Sequence, residues 1–328
     1  MAVLLTGATG FVGLNIAHAL LARGEKVVLF APAPPPEALA GGSLADACFV
    51  AGDIRVPDSL DRAFAAQAID RVIHAAALTP DAQAEAERPD VITEVNLGGT
   101  VRLMQAAHRA GVRRVLGLSS VAVYGYAAPA ADGRLHEEST PPQPAALYGI
   151  TKLAAEQAIH RLGALYGIET LTVRLGPCFG AREHATGVRP LLSPHWQCAE
   201  AARAGRDCVL PRPMAADWID VEEAAGAIAD LLAVPSPPHR IFNLGGSALT
   251  TAAAWCEALA SLHPGFRWRI DAGAPTVRYG LERDRAPMET GRLRAAIGRA
   301  PFTKDLAGIA RRYLAWRNSP EGIALCGA

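Results

Sequence analysis

Val3-Leu4-Leu5-Thr6-Gly7-Ala8-Thr9-Gly10-Phe11-Val12-Gly13 is the stretch that decides the fold. A short apolar run ends in G-x-x-G-x-x-G and passes at once into a helical pattern. The glycines permit a tight turn and close backbone approach, and the free N–H groups opening a helix suit a pyrophosphate. Gly7, Thr9, Gly10, Phe11, Val12 and Gly13 are therefore the first candidate binding residues.

Outward from that turn, apolar runs alternate with helical patterns. Strands are expected at 3–6, 26–30, 48–51, 71–75, 114–119 and 170–175, and helices at 11–23, 57–67, 89–110 and 148–166. Runs without polar alternation, joined by helical crossovers, predict an α/β chain with a doubly wound parallel Rossmann sheet. Beyond Leu175 the pattern turns irregular, with a helix near 194–204, strands at 217–221 and 241–244 flanking a helix at 222–233, then a helix, a strand at 266–270 and a last helix near 304–317. This predicts a smaller C-terminal α/β substrate domain (about 176–216 plus 247–328) beside a dinucleotide-binding domain (1–175 plus about 217–246).

Composition excludes several classes. Lys+Arg 32 balances Asp+Glu 32, so no basic excess points to nucleic acid. No apolar run approaches the length of a membrane span, and Met1-Ala2 leads straight into the first strand without a secretory leader. Six scattered cysteines without a C-x-x-C argue against a disulfide scaffold and a zinc site, and no metal is expected. A cytoplasmic protein with inert or buried thiols fits these features.

Further candidates lie at the strand ends. No acidic residue closes the second strand, where one would hold the adenosine ribose, and no arginine waits there for a 2′-phosphate. NAD is favoured and NADP is not excluded. Asp53 and Ile54 after the third strand are placed to meet an adenine. Ala75, Ala76 and Ala77 after the fourth leave room for a ribose, and His74 reads as a packed core histidine. Tyr148 and Lys152 stand at i and i+4 of a helix, on one face. A nearby ammonium favours phenolate, drawing a tyrosine down from about 10 toward working pH, so the phenol can exchange a hydroxyl proton during hydride transfer. Ser120, at a strand end, is either a turn-capping residue or a second hydroxyl for the same substrate oxygen.

At this point the chain resembles the extended short-chain dehydrogenase/reductase family, the NAD-dependent epimerase/dehydratase group. The matching stretches, in the family's order, are TGATGFVG (6–13), GDI (52–54), HAAA (74–77), VNLGGT (95–100), SSVAVYG (119–125), YGITK (148–152), VRLGPCFG (173–180) and DWIDVEE (217–223). The C-terminal stretch RAPMET (285–290) and the helix ending in Trp316 also look familial. The resemblance implies a catalytic triad of Ser120, Tyr148 and Lys152. It further implies that Asn96, through its carbonyl or side chain, helps to support the lysine and a water, that Pro177 borders the nicotinamide through its backbone, and that helices near 90–110 and 148–166 form a homodimer interface.

Departures from the family pattern shape the expected substrate. Pro177 stands where nucleotide-sugar epimerases carry an Asn, and Ala216 precedes Asp217 where they carry an Arg, the natural bidentate phosphate ligand. Val121-Ala122 replace the Asp-Glu pair of the hexose dehydratases. The leading expectation is an NAD(P)-dependent oxidoreductase acting at a secondary alcohol or ketone of a small polyhydroxylated substrate such as a sugar acid, lactone or polyol. Alternatives are a sugar or nucleotide-sugar epimerase with retained cofactor and a non-catalytic dinucleotide sensor. Arg182 and His184, in a loop running to Arg189, are candidate substrate contacts. His195-Trp196 is a further one, with Trp196 read as core.

Overall fold

The computed structural model describes residues 1–187, 191–246, 248–280, 284–299 and 305–327. Its centre is a seven-stranded, wholly parallel sheet. The strands β1 (Ala2–Thr6), β2 (Lys26–Ala31), β3 (Cys48–Ala51), β4 (Ile69–His74), β5 (Arg114–Ser120) and β6 (Glu169–Leu175) lie in the order 3-2-1-4-5-6, and Ile241–Leu244 pairs outside β6. The order reverses between β1 and β4, so the crevice above their C-terminal ends is the switch point of the sheet. Strand alternation feeds two cores: Val3, Leu5, Leu29 and Ile73 enter one, and Ala2, Leu4, Val28 and Val72 the other. Both faces are thus covered by helices, as the unalternating apolar runs predict.

Two elements differ from expectation. The helix expected over 89–110 is broken into Pro89–Thr93, a π-helical turn Glu94–Gly98, and Gly99–Arg109. Gly99 presses on the Ile54 side chain so closely that a Cβ there would meet Ile54 Cγ2 at 2.6 Å. The wider turn points Asn96 inward, where it is buried. The strand expected over 217–221 shrinks to Ile219–Asp220, which pairs with Cys178–Phe179 outside the main sheet. Asp220 ends it by accepting the N–H groups of Glu222 and Glu223, capping the helix Val221–Ala233.

A further core gathers the helices Pro194–Arg203, Ala252–Leu262 and Leu306–Arg317 around Trp255, Trp218, Phe179 and Tyr313. The last helix begins at Leu306; Lys304, where the sequence pattern starts it, and Arg189 lie outside the described residues. Among the described residues, no helix is long and apolar enough to cross a membrane. The six cysteines are all free.

Candidate active site

The glycine turn sits at the switch point in the form its sequence demands. Gly7 has φ +67, and a Cβ on it would lie 2.7 Å from the Ala76 backbone nitrogen, so the turns after β1 and β4 touch backbone to backbone. A Cβ on Gly13 would meet the Gly7 carbonyl at 2.1 Å. No side chain caps the helix Phe11–Leu21, which leaves its first N–H groups available to an anion. Thr9, Gly10, Phe11 and Val12 keep partial exposure beside this cradle, as do Ala75, Ala76 and Ala77. These features fit a dinucleotide: a backbone-walled cradle, a positive helix end and small residues opposite. Asp53 is clamped by Arg55 (Nη2–Oδ2 2.6 Å), whose hydrogen bond holds the carboxyl below its ordinary range. Ile54 is buried in the core.

A polar relay ties the cradle to the reacting end. The Ala76 N–H donates to Thr6 Oγ1, which contacts His74 Nδ1 at 2.8 Å; His74 Nε2 contacts Thr100 Oγ1 at 2.9 Å, and Thr100 donates to the Asn96 carbonyl. Burial lowers His74 to about 3, with Lys152 adding to the effect, so His74 is a neutral strut.

The helix that carries Tyr148 and Lys152 is held against the strand that ends in Ser120 by two close approaches. A Cβ on Gly149 would meet the Ala122 carbonyl at 2.5 Å, so the helix Leu147–Tyr166 rests its first turn against the turn that follows Ser120. A Cβ on Gly117 would meet Ile159 Cδ1 at 2.5 Å, which presses the same helix onto β5. Glu85 accepts the Tyr148 backbone N–H and anchors that helix end from outside. Ser120 Oγ accepts the Ala122 N–H at 3.1 Å, so Ser120 does cap a turn while its own proton remains to be donated. Lys152 is buried and donates to the Leu118 carbonyl, and desolvation lowers it to about 8. The Asn96 side chain clamps both backbone groups of Leu78 and donates to Thr151, one residue before the lysine.

Beneath the triad lies an ion pair that the motifs do not single out. Arg174 on β6 binds Glu156 of the same helix through Nε and Nη2 (3.1 and 2.6 Å), both groups fully buried. It also reaches Tyr124 Oη at 3.0 Å, and Tyr124 donates to Asn243 on the sheet's outer strand. The helix that carries Tyr148 and Lys152 is thereby fixed to two strands.

On the substrate side the loop candidates have partners within the protein. Arg182 (φ 66) spends its guanidinium on Asn15, Glu222 and Glu321, joining the first helix to later ones. His184 Nδ1 turns back to the Arg182 carbonyl. His195 is buried in the substrate-side core, stacked on Phe179 at 4.0 Å and flanked by Trp218 and Trp255; burial lowers it to about 3. The Pro177 carbonyl accepts the Ile219 N–H, completing the short strand pair. A cation within electrostatic reach of Tyr148 is Arg285. Its side chain is half-buried, and burial depresses its pKa against the pull of Tyr279, Asp217, Tyr126 and Tyr148. Asp217, fully buried, accepts the Met288 N–H at 3.0 Å and is raised to about 7 by desolvation, so it offsets Arg285 only in part at neutral pH.

The sequence pattern of the NAD dependent epimerase/dehydratase family matches residues 3–245. The chain belongs to that family. A UDP-glucose 4-epimerase of Streptomyces lividans is 32% identical, with 97% of each chain covered. A dTDP-6-deoxy-L-talose 4-dehydrogenase (NAD(P)(+)) of Kitasatospora kifunensis is 29% identical over 78% of this chain and 77% of its own. Among solved structures, the UDP-glucose 4-epimerase of Thermus thermophilus in complex with NAD superposes with a TM-score of 0.76 at 27% identity, covering 97% of this chain and 100% of that one.

Membership makes the protein an NAD-dependent enzyme of the extended short-chain dehydrogenase/reductase type. Within that frame Arg285, Asp217 and the Arg174–Glu156 pair are what sequence reading misses. A signal for Arg285 does exist, in the familial look of RAPMET (285–290). Nothing in the sequence, however, shows that this stretch folds back onto the residues around Asp217.

Proposed function

We propose that the protein catalyses NAD-dependent hydride transfer at a secondary alcohol of an anionic, polyhydroxylated substrate. Ser120 and Tyr148 act on the reacting oxygen and Arg285 holds the negative charge. The observation that carries this reading is the half-buried guanidinium of Arg285, which acts electrostatically on both Tyr148 and Asp217. An anionic ligand would pair with that charge.

Ser120 donates its proton to the substrate oxygen, having used a lone pair on Ala122. Tyr148 removes the hydroxyl proton as the alcohol is oxidised and returns it in the reverse direction. Positive charge at Lys152 and Arg285 favours the phenolate this requires. Lys152, held by Leu118, also supplies donors toward a bound ribose. NAD, when bound, accepts the hydride; the cradle of Gly7, Gly10 and Gly13 and the alanines 75–77 would hold it. The division of labour follows the cores: residues 1–175 with 217–246 serve the cofactor, and 176–216 with 247–328 the substrate.

A sugar acid whose carboxylate meets Arg285 fits the missing diphosphate grips at Pro177 and Ala216. The second reading, a nucleotide-sugar 4-epimerase, is favoured by the end-to-end match to the Streptomyces enzyme, with Arg285 then facing a phosphate. Incubation with NAD and a panel of uronates, aldonates and UDP-sugars separates them. Net NADH accumulation on a sugar acid is the expected result; interconversion of UDP-sugars without net NADH would replace it with the second reading. Exposed Ile150 and Leu165 on the helix Leu147–Tyr166 support a homodimer through that helix, and six free cysteines support a reducing cytoplasm.

A further inference from the structure

Three of the scattered cysteines meet in the core of the substrate side. Cys198 lies on the helix Pro194–Arg203, Cys208 opens the strand Cys208–Leu210, and Cys256 lies on the helix Ala252–Leu262. All three are fully buried. Cys208 Sγ stands 3.4 Å from Cys198 Sγ and 4.0 Å from Cys256 Sγ, and the three sulfurs all lie within 4.8 Å of one another. The walls are apolar, with Phe179, Leu210, Trp255 and Leu259 in the same cluster. None of the three thiols has a role in the chemistry above.

The arrangement has the size of a metal triangle. Metal–sulfur bonds of about 2.3 Å around a common centre separate the sulfurs by about 3.8–4.0 Å; the Cys208–Cys256 distance of 4.0 Å already meets that spacing, and the Cys208–Cys198 distance of 3.4 Å must open by about half an ångström. Thiolates select soft cations such as copper(I) and zinc. Donor number distinguishes these. Zinc in a closed site takes four donors, and among the described residues no histidine or carboxylate joins the three sulfurs. The ligating species is the thiolate, so binding releases the thiol protons to solvent.

We propose that Cys198, Cys208 and Cys256 form a buried three-sulfur site for a soft monovalent d10 cation, copper(I), which ties two helices and a strand of the substrate side together. Binding to the folded chain alone stabilises it by mass action.

The test is an anaerobic titration of the reduced, full-length protein with copper(I) against a competing chelator, with zinc(II) in a parallel arm. One equivalent of copper(I), a sulfur-to-copper charge-transfer band and a raised Tm are expected, with X-ray absorption counting three sulfurs. Cys208→Ser should lose the equivalent and the shift in Tm, whereas a C48S/C326S double variant should keep both. Because Cys208→Ser can weaken the core, the sulfur count on the unaltered protein stands as an independent readout. Absence of stoichiometric copper, a two-sulfur count, retention of copper by Cys208→Ser, or zinc bound in preference to copper would each overturn the proposal.

Discussion

The cofactor half and the substrate half of this molecule obey the same physics but disclose themselves differently. In the first 175 residues each functional feature is local: a glycine turn between a strand and a helix, a helical i, i+4 pair, a strand-end serine. The sheet then places those features at one crevice because parallel strands all end on the same side. In the substrate half, polar residues that look available are consumed by packing, as with Arg182, His184 and His195. The groups that face the site or each other, Arg285 and Asp217 on one hand and the three cysteines on the other, come together only through long-range folding. A local motif is read from spacing; a convergent site is not.

The sharpest way to break this contrast is Tyr148→Phe. Removal of the phenolic proton carrier should lower turnover by about 10²- to 10⁴-fold, the usual range for a positioned acid–base group. NAD affinity measured by calorimetry should stay within about twofold, because the cradle at Gly7–Gly13 does not use that hydroxyl. Turnover within tenfold of the parent enzyme would remove Tyr148 from its assigned role.

Arg285→Ala addresses the other half. Loss of a charged hydrogen bond to an anionic substrate costs about 1.5–3 kcal/mol, or roughly 10- to 150-fold in KM. NAD binding should not move. An unchanged KM for the anionic substrate would mean that Arg285 is a packing cation and that the substrate anchor lies elsewhere.

How far the sequence reaches can be judged from single residues. His74 reads as core and is core, since a histidine at the end of an apolar strand is buried whatever its neighbours. Ser120 reads as either cap or catalyst, and the structure shows the cap: the hydroxyl oxygen accepts from Ala122, which leaves its hydrogen for a ligand. Resemblance ties Asn96 to the lysine, and the π turn aims its side chain at Leu78 and at Thr151, the residue before that lysine. Such a turn depends on Gly99 meeting Ile54, 45 residues earlier in the chain. Arg182 is opaque for a similar reason, because its partners Asn15, Glu222 and Glu321 are each distant in sequence.

Asp217 gives a stability signature that varies with pH. Its folded pKa of about 7 lies above the unfolded value of 3.8, so its contribution is fully present below about pH 4 and is lost as pH rises through about 7. At about 1.4 kcal/mol per unit, the loss is at most about 4 kcal/mol. Asp217→Asn does not titrate, so its stability should gain on the parent enzyme across that window and hold level above it. Denaturant melts at pH 4, 5.5, 7 and 8 measure the difference; parallel stability curves would show that Arg285 already neutralises the carboxylate in the folded protein.

The smallest expected effect tests a loop candidate. His184 is a substrate candidate on sequence, but its Nδ1 is bonded to the Arg182 carbonyl, within a loop that itself docks on the first helix. His184→Ala removes one side chain–backbone hydrogen bond, worth about 0.5–1.5 kcal/mol. KM and kcat for the anionic substrate should therefore stay within about twofold of the parent enzyme, while Tm falls by a few degrees. A selective rise in KM with unchanged Tm would reverse the assignment, returning this loop to the substrate and weakening the claim that Arg285 alone supplies the charge that the substrate meets.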